Sequence, residues 1–282
     1  MSIFNFRFGK NQSEKENTNA APEAVSPQEE SKNMENMTSE NCETNKKSEN
    51  AVENEKAEKP ADNDQQAETP IARRIYNLLI LDESGSMSAI YQPAITGVNE
   101  TLQTIREAQK ENPSQEHFVT LVAFDSGHYN EIYHNIPAFS AVDITTDQYQ
   151  PCGMTPLYDT MGRAINELRE TIKDDSDVAL VTVITDGYEN ASREYTGPAI
   201  KALIEELKKK NWVFTYIGAN QDVEAVAASM AINNHHAFQA DVDGTREMFL
   251  KERNSRKAFF SRVSQNQCRE ISDDAKADYF KD

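Results

Sequence analysis

The stretch Ile75-Tyr76-Asn77-Leu78-Leu79-Ile80-Leu81-Asp82-Glu83-Ser84-Gly85-Ser86-Met87 decides how this chain folds. Apart from Asn77, the residues from Ile75 to Leu81 form one apolar run, the signature of a strand buried on both faces. The run stops at a carboxylate, Asp82, and two hydroxyls follow at alternate positions, Ser84 and Ser86. Two pieces of related chemistry stand far downstream. Gly153-Met154-Thr155-Pro156-Leu157 opens a helix, and Val181-Thr182-Val183-Ile184-Thr185-Asp186-Gly187 ends a second apolar strand.

Working outward, strand-like and helical runs alternate. Helical spacing over 88–112 places Ile90, Ala94, Val98, Leu102 and Ile105 on one face. A second strand is expected at 117–124, and 128–136 alternates like an edge strand joined to it by a turn around Gly127. Further helices are expected at 156–173, 197–211, 222–230 and 243–264, with strands at 178–185, 212–217 and 237–240. This order predicts an α/β fold: a doubly wound, mostly parallel sheet with helices on both faces and one antiparallel edge strand.

In such a sheet, ligands sit beyond the carboxyl ends of the strands. Asp82 and Asp186 each follow a strand directly, and Thr155, before Pro156, is expected as the N-cap of its helix. Asp82, Ser84, Ser86, Thr155 and Asp186 are therefore expected at one sheet edge, where five oxygen-bearing side chains suit a hard cation such as Mg2+. Two carboxylates roughly balance one divalent charge, and a shell of about six oxygens leaves a place for an outside ligand. A carboxylate from a partner protein fits that place.

The same residues carry a family resemblance. Asp82-x-Ser84-x-Ser86, then Thr155, then Asp186 resembles the metal-ion-dependent adhesion site (MIDAS) of von Willebrand factor type A (vWA) domains, of the bacterial intracellular type. The flanking Leu-Asp-Glu-Ser-Gly-Ser-Met, Gly-Met-Thr-Pro-Leu-Tyr-Asp and Thr-Asp-Gly-Tyr-Glu-Asn fit the same pattern, and the resemblance covers about residues 74–265. It implies a Rossmann-like vWA fold, Mg2+ or Mn2+ as cofactor, and metal-dependent binding of a protein partner. The settings it implies are adaptor or subunit roles beside AAA-type ATPases or in stress-resistance complexes. The competing reading of the individual pieces is plainer, since Ser and Asp are common turn and cap residues and Ser86 or Ser88 serves equally as a helix cap.

The chain has 282 residues and a net charge of −18. That balance argues against nucleic-acid binding and against docking on anionic lipid. No apolar run reaches the roughly 18 residues that span a bilayer, and no secretory signal is visible, so a cytoplasmic location is expected. Residues 1–70 are expected to be a disordered low-complexity tail, 71–265 the vWA domain, and 266–282 a polar tail. Within the first segment, Ile3-Phe4-Asn5-Phe6-Arg7-Phe8 alternates apolar and polar residues, so it reads either as a docking peptide for a sheet edge or as a frayed terminus without a role.

Several neighbours are weaker candidates. Glu83 is expected as a solvated rim charge. Asp125 reads equally as a turn residue or as a support for the ligands, and Asp159 as a favourable first-turn carboxylate. Tyr188, Glu189, Asn190 and Tyr91 are candidates for partner contact, with Asn190 also able to shape its loop. Adjacent His235 and His236 point to opposite faces of a strand, which argues against joint metal chelation. Cys152 is expected as a small buried side chain, and Cys42, Cys152 and Cys268 are too few and too dispersed for a disulfide framework or a zinc site.

Catalysis is not expected. A Mg-dependent phosphohydrolase using Asp82 is the alternative, but Ser84 stands where the haloacid-dehalogenase pattern needs a second Asp as proton donor. No Gly-x-Ser-x-Gly elbow and no phosphate-binding Gly-x-x-x-x-Gly-Lys loop is present.

Overall fold

The run Ile75–Leu81 lies inside β1 (Arg73–Asp82), the centre of a six-stranded sheet of order β3-β2-β1-β4-β5-β6. The computed structural model describes residues 73–266 and 270–281. The expected hook at Ile3–Phe8 and the tail around it lie outside the described residues.

The other strands are β2 (Gln115–Phe124), β3 (Tyr129–Pro137), β4 (Val178–Thr185), β5 (Trp212–Gly218) and β6 (Asn234–Ala237). All neighbours pair in parallel except β3, which runs antiparallel to β2. Every residue of β4 and of β5 is buried, as the continuous apolar runs require. By contrast, β3 is half exposed, irregular in register, and left-handed at Asn135 (φ 45°), features that blunt an open edge.

Among the described residues six α-helices flank the sheet: α1 (Tyr91–Glu111), α2 (Leu157–Thr171), α3 (Gly197–Leu207), α4 (Val223–Ser229), α5 (Val242–Gln265) and α6 (Asp273–Ala277). Alternation along β1 divides the core. Ile75, Leu79 and Leu81 face α1 and α5, whereas Tyr76, Leu78 and Ile80 face α2, α3 and α4. The fold is thus the doubly wound α/β sheet with an antiparallel edge strand expected from the sequence. Between β1 and β4 the winding reverses, and a crevice opens at the strands' carboxyl ends.

Three local expectations change. A 3-10 segment, Gly85–Ile90, precedes α1, which starts at Tyr91 rather than Ser88. The last strand lies at Asn234–Ala237 rather than 237–240, because Asn234 is a core residue: its amide donates to the carbonyls of Phe214 and Lys276. Two described residues of the stretch expected to be a polar tail, Ile271 and Tyr279, join the core. Tyr279 is fully buried and donates its hydroxyl to Glu252 Oε1 at 2.9 Å, Ile271 is buried, and α6 lies between them. Polar composition hid this because the two anchors are isolated, each tied down by an asparagine: Asn211 Oδ1 accepts from Ile271 N and Asn234 Oδ1 from Tyr279 N.

The same layer holds a buried ion pair that sequence reading did not anticipate. Arg256 and Glu252, both fully buried, meet one helical turn apart on α5, with Arg256 Nε donating to Glu252 Oε1 at 2.8 Å. The guanidinium also donates to Asn77 Oδ1 and to Thr182 Oγ1, both at 2.9 Å. Asn77, the polar interruption of the β1 run, is there to receive Arg256.

Candidate functional site

Asp82 ends β1 with no exposure, its carboxylate held from two sides. Ser84 N donates to Oδ1 at 2.7 Å, and Thr185 Oγ1 donates to Oδ2 at 2.5 Å. The hydroxyl of Tyr149 donates to the Asp82 carbonyl at 2.8 Å and fixes the backbone as it leaves the strand. In the turn, Ser84 Oγ lies 3.1 Å from Ser86 Oγ, and Ser86 Oγ donates to Asp186 Oδ1 at 2.5 Å. Ser86 therefore caps no helix; neither the 3-10 segment nor α1 has a side-chain cap.

Thr155 reaches the same place through backbone stitching. Gly85 N donates to Gly153 O at 3.1 Å, and Cys152 N to Glu83 O at 2.8 Å, which ties its loop to the Asp82 turn. On the other side, Thr155 N donates to Asn190 Oδ1 at 2.8 Å and Thr155 O accepts from Asn190 N at 3.1 Å, which ties it to the loop after Asp186. The side-chain oxygens converge as well. A Cβ placed on Gly187 would lie 3.5 Å from Ser86 Oγ and 3.7 Å from Thr155 Oγ1. Asp82, Ser84, Ser86, Thr155 and Asp186 are thus brought to one rim, with all but Ser86 buried.

Thr155 does not cap its helix. α2 starts at Leu157 with Pro156 at the N-cap position, and the orphan N–H groups are satisfied in trans. Glu189 Oε2 accepts from Tyr158 N at 3.0 Å, and Ser192 Oγ accepts from Asp159 N at 3.1 Å. Asp159 reciprocates by accepting backbone N–H groups of Arg193, Glu194 and Tyr195. Burial opposes ionisation of Asp159, but those donors prevail and hold its carboxyl below its ordinary range. Glu189 and Asp159 therefore lock two loops together, and Thr155 is left free to face the site.

Glu83 does not sit on the rim. It is buried, its Oε1 accepts from Gln150 N, and its Oε2 lies 3.6 Å from His128 Nε2 without a hydrogen bond. Burial pushes its carboxyl above the usual range. Asp125 serves its turn, with Oδ1 accepting from Gly127 N and from His128 N. Tyr91 stacks on Tyr149, and Tyr188 remains exposed. Cys152 is exposed, contrary to expectation, because only its backbone is needed by the turn. His236 packs on Phe280, and the neighbouring His235 ring meets the Asn233 carbonyl.

Electrostatics single out the two aspartates. Burial raises the Asp82 carboxyl to about 6, against hydrogen bonds from Thr185 and Ser84 that pull it down, and burial raises that of Asp186 too. No cationic side chain pairs with either among the described residues. The donors are all oxygens, two carboxylates and three hydroxyls, a set suited to a hard divalent cation. Among the described residues no three His, Cys, Asp or Glu side chains gather into a metal-binding group, so any ion here would depend on the hydroxyls. Thr185, Tyr149 and Glu189 were missed as supporting residues. Only Thr185 left a sequence signal, by preceding Asp186 at a strand end.

No protein-family model matches the sequence, and no curated protein does. Solved structures do resemble the fold. A von Willebrand factor type A protein from Catenulispora acidiphila is 14% identical with a TM-score of 0.46, the match covering 68% of this chain and 43% of that one. The ArnB paralog VWA2 from Sulfolobus acidocaldarius is 16% identical with a TM-score of 0.43, covering 63% and 44%. Manganese-loaded TRAP protein from Plasmodium vivax is 16% identical with a TM-score of 0.43, covering 63% and 72%. The likeness is one of fold. At TM-scores below 0.5 it carries no argument about function, and this chain spans less than half the length of the first two proteins.

Proposed function

We propose that this chain is a divalent-metal-dependent, vWA-type protein-binding module whose site takes Mg2+ or Mn2+ and, through it, an acidic residue of a partner protein. One observation carries the reading: two neighbouring buried carboxylates, Asp82 and Asp186, stand beside three hydroxyls with no cationic side chain against them among the described residues. Buried charges of one sign are costly unless a cation is supplied. Asp82, Ser84, Ser86, Thr155 and Asp186 would hold the ion, which supplies positive charge and an open coordination position. The protein's part is to keep the oxygens oriented, through Thr185, Tyr149, Asn190 and the backbone stitches around Gly153.

We read the site as binding rather than catalytic. Both Asp82 oxygens are engaged by Ser84 N and Thr185, and Ser84 and Ser86 have no histidine beside them to activate a hydroxyl. The proposed setting is a cytoplasmic complex, with AAA-type ATPase or stress-resistance assemblies as the partners the motif resemblance implies. No helix among the described residues is long and apolar enough to cross a membrane, which accords with that setting.

The test is thermal denaturation of the full chain with Mg2+, with Mn2+ and with EDTA. A rise in Tm with either metal that Asp186→Ala abolishes is expected, and an unchanged curve at saturating metal would overturn the proposal. Mg2+-dependent hydrolysis of p-nitrophenyl phosphate, lost in Asp82→Asn, would replace binding by catalysis.

A further inference from the structure

Immediately beyond Thr155, a groove of about 550 Å³ runs along α2, entered past Met154, Pro156 and Asn190. Three carboxylates line it, but two are already occupied: Asp125 by the turn amides and Asp159 by three backbone N–H groups. Glu194 alone remains exposed. The donors are freer. Arg163 sits over the ring of Tyr129, its guanidinium carbon 3.8 Å from the centroid. Its Nε is tied to Glu167 Oε1 at 2.9 Å, and Glu167 also accepts from the Tyr129 hydroxyl. This leaves the outer Nη edge as a fork of fixed orientation, the geometry that receives a carboxylate bidentately. Arg193 is exposed and makes no ion pair among the described residues; its backbone N is anchored on Asp159. His128, half exposed, is already engaged, its Nδ1 3.1 Å from Asp125 Oδ1 and its Nε2 3.6 Å from Glu83 Oε2. By formal charge the lining stays slightly acidic, Arg163 and Arg193 against Asp125, Asp159 and Glu194, but Asp125 and Asp159 are engaged by backbone amides while both guanidinium groups are exposed.

We propose that this groove reads a second acidic residue of the partner, so that the module recognises an extended segment carrying two carboxylates, one for the Thr155 rim and one for Arg163 and Arg193. The proposal rests on the metal-dependent reading above. Spacing follows from geometry. Arg163 is six positions past Leu157, the first residue of α2, about 9 Å at 1.5 Å per residue, and Thr155 stands two residues before the helix. Arg193 is anchored nearer, at Asp159. An extended chain advances about 3.3 Å per residue, so the second acid falls two to four residues from the first. Exposed Met154 lines the same groove and supplies an apolar contact.

The test is selection on the full chain from a displayed peptide library with one fixed Glu and random residues on both sides, panned in Mg2+ and in EDTA. Mg2+-dependent binders are expected to be enriched about two- to fivefold for Asp or Glu two to four residues from the fixed Glu, the preference that one exposed ion pair supports. Arg163→Glu with Arg193→Glu should keep Mg2+-dependent capture and the Mg2+-induced Tm rise, yet lose that preference or turn it toward Lys and Arg. Mg2+-dependent binders without an acidic preference, or with one the double variant leaves unchanged, would overturn the groove's role and leave the metal reading standing. Absence of any Mg2+-dependent binder would overturn both.

Discussion

Asp82→Asn should stabilise the metal-free protein while destroying its response to metal. Asp82 is buried, and its carboxyl is raised from 3.8 to about 6, chiefly by burial. A carboxyl raised in the folded state holds its proton more tightly there than in the unfolded chain. Stability is therefore lost as pH climbs from about 4 to about 6 and stays lost above that. At about 1.4 kcal/mol per unit, the shift amounts to about 3 kcal/mol at neutral pH. Asparagine removes that penalty and keeps the hydrogen bonds: its oxygen accepts from Ser84 N, and its amide donates to Thr185 Oγ1, whose own proton turns to Gly187 O. His117, buried and lowered to about 3 by burial and the charge of Arg256, has the opposite pH slope, but it is common to both proteins and cancels in their difference. Urea unfolding in EDTA at several pH values measures the difference. D82N is expected to be more stable by about 3 kcal/mol near pH 7.5, with the gap closing below about pH 4. Added Mg2+ should stabilise wild type and not D82N. A gap independent of pH, or D82N the less stable protein in EDTA at neutral pH, would refute the assignment of Asp82 as a buried charge awaiting a cation.

Other substitutions probe the supports. Arg256→Met strands Glu252 in the core and should cost about 3–5 kcal/mol in urea unfolding, with Arg256→Met/Glu252→Leu costing less than the sum of the single changes; additivity would mean the two groups do not act as a pair. Gly153 has φ +68°, and an added Cβ would meet Ser126 Oγ at 2.7 Å, so Gly153→Ala should cost about 1–3 kcal/mol and reduce the Mg2+-induced Tm rise by displacing Thr155. A variant with wild-type stability and metal response would show that the left-handed turn is dispensable. Glu189→Ala leaves the Tyr158, Ala191 and Ser192 amides without their acceptor and should cost about 1–3 kcal/mol by chemical denaturation; a neutral effect would remove the trans-capping argument.

By itself the sequence determined the α/β winding and which oxygens meet at the sheet edge. Both are written in short-range patterns: continuous apolar runs mark strands buried on two faces, and a carboxylate directly after such a run emerges at the strand's carboxyl end wherever the sheet lies. Tertiary structure alone decided what each remaining charge does. Glu83 faces inward because the Asp82 turn needs its carbonyl for Cys152 N and Gln150 N takes its carboxylate. Glu189, spelled like a rim residue, caps a helix that begins some thirty positions earlier. The Arg256–Glu252 pair and buried Tyr279 sit in segments whose local composition reads as solvent-facing. Periodicity reports whether a side chain is buried; it carries no information about which distant donor satisfies a buried acceptor, because that depends on how helices and loops settle on the completed sheet.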